Sequence, residues 1–195
     1  MTGREPRILE LFADLLSYPT RDLGGATDEC RALLAGECQE AADRLVEFGR
    51  FVASNPLSLL EEFYTAAFDF SDSSQPYLGA KLFGESYKRS LLLVGLAQCY
   101  RQYGFNAGQE LPDHLTVVLR FLATAWGGPD ADEIAVHALV PVLEKIVAGL
   151  EDAEERPLEY RARQVYGHVL RALHLWLSQT RAIAGGRPVA AERVG

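Results

Sequence analysis

Apolar residues recur along this chain at helical spacing almost from end to end. Ile8, Leu11, Phe12 and Leu15 fall at i, i+3, i+4 and i+7, a face that stops before Pro19. A second, short helix is expected over 26–35. Ala41, Leu45, Phe48 and Val52 form the next stripe, with Glu40, Asp43 and Glu47 on another face. Asn55-Pro56 reads as an N-cap followed by proline in the first turn, opening a helix with Leu60, Phe63, Tyr64 and Ala67 on one side. The stretch 85–103 is apolar nearly all round near Leu91–Leu96, which assigns it to the centre of a bundle. Pro112 is expected to start a helix with Leu115, Val118, Leu119, Leu122 and Trp126 inward, ended by Gly127-Gly128-Pro129. Asp130 and Glu133 suggest a capping box for the following helix, which Pro141 should kink or divide. A last helix spans about 157–180 with Tyr166, Leu170, Leu173 and Leu177 on one face. No alternating strand and no repeat is apparent.

The expectation is therefore all-α: one domain of about eight helices over residues 1–184, with a flexible tail over 185–195. Residues 69–80, rich in turn formers, interrupt the pattern as a long internal loop, expected to be poorly ordered from 71 onward because its polar residues have nothing to bury. At 195 residues and 48% apolar content the chain can bury a core without disulfides or metal. The longest strictly apolar run, near Leu91–Ala97, is far too short to span a bilayer, and the N-terminus lacks the form of a secretory signal. Cys30, Cys38 and Cys99 lack a C-x-x-C spacing and read as reduced thiols, which suits the cytoplasm.

Charge narrows the partners. Residues 1–75 hold six basic and fourteen acidic side chains, a net −8, whereas residues 76–195 hold thirteen of each. An acidic half disfavours nucleic acid and is compatible with a cationic partner. Catalytic signatures are missing: no phosphate-binding glycine loop, nucleophile elbow, H-E-x-x-H or paired C-x-x-C occurs. The four histidines are scattered, and His168 and His174, six apart, fall on different faces, so no metal site and no cofactor is expected.

Two segments stand out. One runs Tyr64-Thr-Ala-Ala-Phe68-Asp-Phe70, then Gln75-Pro76-Tyr77-Leu78-Gly79, then Lys81-Leu-Phe83-Gly84-Glu85-Ser86; the other is Glu110-Leu-Pro112-Asp113-His114-Leu115. In this order they resemble the central region of the NarJ/TorD/DmsD family of redox-enzyme maturation chaperones. Glu-Leu-Pro-Asp-His-Leu is similar to the nitrate-reductase branch. Pro-Tyr-Leu-Gly with Glu-Ser-Tyr-Lys-Arg looks like the neighbouring chaperones of type II DMSO-reductase enzymes.

The resemblance implies an all-helical, TorD/NarJ-like fold and no catalysis. It implies recognition of an N-terminal twin-arginine or remnant leader on the catalytic subunit of a molybdoenzyme, held until the molybdenum cofactor is inserted, with the insertion machinery as a further partner. It maps leader binding to Glu110, Asp113 and His114, with aromatic walls from Tyr64, Phe68 and Tyr77. The residues allow plainer roles. Asp113 beside a helix start could complement the helix dipole. Tyr64 and Phe68, four apart, could be core or the floor of the loop that follows them. His114, one position before Leu115, is expected to point off the inward stripe and be partly exposed. The alternative function is a nucleotide-binding protein or small enzyme using Glu85, Asp113 and His114. The client enzyme stays open.

Overall fold

The computed structural model describes residues 3–68, 75–150 and 157–185. Their elements are α1 (Arg4–Leu15), α2 (Gly24–Ala35), α3 (Gln39–Ser54), α4 (Leu57–Phe68), α5 (Leu78–Phe83), α6 (Tyr87–Gln102), α7 (Leu115–Thr124), α8 (Pro129–Ile134), α9 (Val140–Gly149) and α10 (Pro157–Gly185). A π-turn, Ala135–Leu139, joins α8 to α9 without a break. It lies just before Pro141, whose ring nitrogen cannot donate to the helix ladder. Among the described residues there are thus nine continuous helices and no strand.

The core follows the periodic stripes. Ile8, Leu11, Phe12 and Leu15 of α1 are buried, and α1 packs against α2 and α7. Phe48 and Val52 of α3, Leu60 and Phe63 of α4, and Tyr166, Leu170, Leu173 and Leu177 of α10 are buried where α10 packs on α3 and α4. Each such side chain contributes roughly 1.5–3 kcal/mol of transfer free energy, which holds the helices together more than helix propensity does. One continuous hydrophobic cluster draws on helices from α1 to α10.

Several local expectations shift. Asn55 caps the end of α3, its side chain donating to the Phe51 carbonyl at 2.7 Å, and Pro56 takes the position before α4. The first turn after Gly128 is opened by Pro129 with no side-chain cap. Of the expected loop at 69–80, residues 69–74 lie outside the described residues, as do 186–195 of the expected tail. Residues 78–80 already belong to α5, which ends at Gly84 with φ +60°, a conformation that favours glycine.

The largest correction concerns α6. It does not occupy the centre of the bundle: only Leu96 and Tyr100 are buried, while Leu91 and Val94 are 53% and 55% exposed. With Tyr87 and Phe83, also exposed, they leave an apolar face uncovered. The apolar and polar residues of α6 are spread round the helix, so it has no preferred face to bury. Its placement was decided by the more strongly amphipathic helices α1, α3 and α7, which occupy the interior.

Candidate functional site

The two motif-bearing segments meet. Pro76 contributes only its carbonyl, which accepts from Leu115 N–H at 2.7 Å, and Leu78 N–H donates to the Asp113 carbonyl at 2.9 Å. Tyr77 and His114 face one another across this single antiparallel bridge. Segment 111–114 is itself a turn: Pro112 follows Leu111, and His114 N–H returns to the Leu111 carbonyl at 3.0 Å. Tyr100 from α6 donates its hydroxyl to the Pro112 carbonyl at 2.7 Å, and burial pushes that phenol up, so it remains a donor.

Asp113 is the interior anchor. Its side chain is fully buried, and Oδ2 accepts the Gly79 N–H at 3.1 Å and faces Arg89 Nε at 3.5 Å. Position 79 must be glycine for this approach, because a Cβ there would lie 2.8 Å from Asp113 Oδ2 and 2.9 Å from Arg89 Cγ. Arg89 also pairs with exposed Glu85 and lies 5.7 Å from the centre of the Tyr77 ring. Asp113 Oδ1 has no hydrogen-bond partner among the described residues.

His114 is the N-cap of α7, which begins at Leu115 and not at Pro112. Nδ1 accepts from Thr116 N–H at 3.3 Å and lies 2.8 Å from the Thr116 hydroxyl, leaving the ring proton on Nε2. The side chain folds back over its own helix start and is buried, contrary to the expected partial exposure; Tyr77 packs edge-on against it at 5.2 Å. Burial holds its pKa below the ordinary imidazole value, against the pull of Glu110 and Asp113 and with the help of Arg120. Burial likewise lowers His168. Both rings therefore stay neutral in the fold while the unfolded chain takes up protons below about pH 6.5. Their contribution is complete above that pH and is lost as pH falls toward the folded values. Urea unfolding at pH 7.5 and 5.5 should show wild type losing more stability than a His114→Asn/His168→Gln variant. Equal losses would remove both histidines from the account.

The six residues expected to bind a leader separate into two groups. Tyr77, Asp113 and His114 come together, with exposed Glu110 at the outer end of the same turn. Tyr64 and Phe68 sit elsewhere, buried in an aromatic cluster with Tyr166, their ring centres 5.7 and 5.2 Å from it. Tyr64 donates its hydroxyl to the Leu16 carbonyl at 3.4 Å, and half-exposed Tyr18 packs on its outer side at 5.5 Å. That geometry makes Tyr64 and Phe68 core. It also reveals a cleft that motif reading missed, about 430 Å³ in volume, between Tyr18, the outer face of α4 and the start of α10. Its signal in the sequence was the pair Glu61-Glu62 on an otherwise apolar helix.

Other chemistry finds no support. Arg89 faces Asp113 and pairs with Glu85, so both of those carboxylates have a cation beside them. Among the described residues no group of His, Cys, Asp or Glu could hold a metal, and no helix is long and apolar enough to cross a membrane. Burial pushes the Cys30 thiol up to about 12, so it stays protonated in the core.

A relative from Bacillus subtilis (strain 168), named as a nitrate reductase molybdenum cofactor assembly chaperone NarJ, is 29% identical over 162 residues, 82% of each chain. The protein of the same name from Escherichia coli (strain K12) is 29% identical over 154 residues, 76% of this chain and 64% of its own length. A solved structure from Archaeoglobus fulgidus, assigned as a redox enzyme maturation protein, superposes with a TM-score of 0.58 over 91% of this chain and 96% of that one; at 23% identity it speaks for the fold alone. The family model described as nitrate reductase delta subunit matches residues 32–159, which include both paired segments and α4 with Glu61 and Glu62. By that match over more than half of its length, the chain belongs to the nitrate reductase delta subunit family.

Proposed function

We propose that this protein is a cytoplasmic assembly chaperone for a nitrate-reductase-type molybdoenzyme. It binds the N-terminal leader, twin-arginine or remnant, of the catalytic subunit and holds that subunit for molybdenum-cofactor insertion. Family membership supports the class, and the chaperones among its relatives argue for binding and against catalysis. The structural observation that carries the reading is the exposed apolar face of Tyr87, Leu91 and Val94 on α6, with Phe83 exposed at the end of α5. Contiguous exposed apolar surface on a folded domain marks a place where another chain docks. Glu110 and Tyr77 offer contacts to the leader. Asp113 and His114 act behind them, by fixing the turn on which Glu110 stands.

Calorimetry tests this with a synthetic peptide of the first 20 residues of the source organism's nitrate reductase catalytic subunit. One-to-one binding with a negative heat-capacity change is expected, since apolar surface is buried on both partners. Absence of binding heat at both 15 and 30 °C would sink the proposal.

A further inference from the structure

Asp113 is fully buried and already faces Arg89 and Gly79, so its charge is engaged inside the fold. The cleft on α4 carries carboxylates that are open to a ligand. Glu61, Glu62, Thr65 and Ala66 lie at i, i+1, i+4 and i+5, so they share one side of the helix. Tyr18 and Leu158 supply apolar walls, one from the chain after α1 and one from the first turn of α10. Both are exposed, Tyr18 at 49% and Leu158 at 37%.

The two glutamates differ from most acidic residues of the first three helices. Glu29 and Glu10 pair with Arg7, Asp14 with Arg21 and Arg120, Glu37 with Arg4, and Glu40 and Glu47 with Arg44 and Arg50. Neither Glu61 nor Glu62 has a cation within ion-pair distance among the described residues. Arg161, two positions beyond Glu159 at the cleft edge, lies over the Phe63 ring at 5.8 Å instead. An apolar cleft with two unneutralised carboxylates on its rim is complementary to a segment carrying a cation next to an apolar side chain.

We propose that this cleft holds the basic, amphipathic part of the client's leader: an aliphatic or aromatic side chain enters between Tyr18 and Leu158, and a neighbouring arginine or lysine pairs with Glu61 and Glu62. The proposal rests on the leader-binding reading and extends the leader's contacts from Glu110 and Tyr77 to α4, where Glu61 and Glu62 select its charge. Arginine suits the position because its planar fork can engage two carboxylates at once.

The test uses the full chain and the fluorescently labelled 20-residue leader peptide, titrated at 50 and 300 mM salt. Glu61→Gln/Glu62→Gln should weaken binding about tenfold at low salt and flatten the salt dependence, since exposed charges are screened within roughly 8–10 Å. A control of equal net charge, Asp28→Asn/Glu40→Gln on α2 and α3, should change affinity less than about twofold. Thr65→Trp, which fills the cleft, should weaken binding at both salt concentrations. A peptide with its basic residues replaced by glutamine should bind wild type and the Glu61/Glu62 variant equally. If wild type binds and the Glu61/Glu62 variant matches it, the cleft is not the site; if the control loses as much, a diffuse field and not the cleft attracts the leader. If wild type does not bind at all, the leader-binding reading fails and this proposal with it.

Discussion

Replacing Trp176 by alanine is expected to lower folding stability by about 4 kcal/mol, the upper range for truncating a fully buried aromatic. Trp176 on α10 is completely buried, stacks on Trp126 at 6.0 Å with the rings 16° apart, and meets Phe12 of α1 at 6.2 Å. Its indole N–H donates to Glu37 Oε2 at 2.9 Å, between α2 and α3. One side chain thus ties four parts of the fold together. Trp176→Phe keeps most of the apolar area and loses the indole hydrogen bond, so its cost should be nearer 1–2 kcal/mol. Urea unfolding measures both. An alanine variant that loses no more than the phenylalanine variant would show that the site collapses around the gap and that stacking contributes little.

Asp113→Ala should cost about 3 kcal/mol, because it leaves the buried Gly79 N–H without its acceptor and Arg89 without its interior partner. The figure lies at the low end for a broken buried pair, since Arg89 keeps Glu85. Asp113→Asn preserves an oxygen for Gly79 and should cost only about 1 kcal/mol. The same two variants separate structure from recognition. If Asp113 acts by holding segments 76–79 and 111–115 together, Asp113→Asn binds the leader nearly as well as wild type. A large loss of affinity in a stable Asp113→Asn protein would instead put this carboxylate in direct contact with the ligand.

How much of this was legible in the chain depends on whether the cause is local. The inward stripes of α1, α3, α7 and α10 could be read directly, since side chains three and four positions apart share a face whatever surrounds them. The stop before Pro19 and the disturbance ahead of Pro141 were legible for the same reason. His114 was misplaced because the stripe was extended one residue outward; a residue before the first helical position is a cap, and its side chain turns back toward the helix's own free N–H groups. For α6 the pattern carried too little information, since a helix whose apolar residues are spread round it can be covered on any side, and the surrounding helices chose.

The candidate sites divide in the same way. The sequence by itself marked Pro76–Gly79 and Glu110–Leu115 as unusual and determined an all-helical chain with an acidic first half. Only the tertiary structure brought Gly79 to Asp113, 34 positions apart, and buried the carboxylate that motif reading had offered to a ligand. Only it placed Tyr64 and Phe68 behind Tyr18 and set Leu158 across from Glu61 and Glu62. The physical reason is that helix periodicity is fixed by backbone geometry over a few residues. Burial, by contrast, and with it the availability of a charge to a partner, is a property of how distant helices pack.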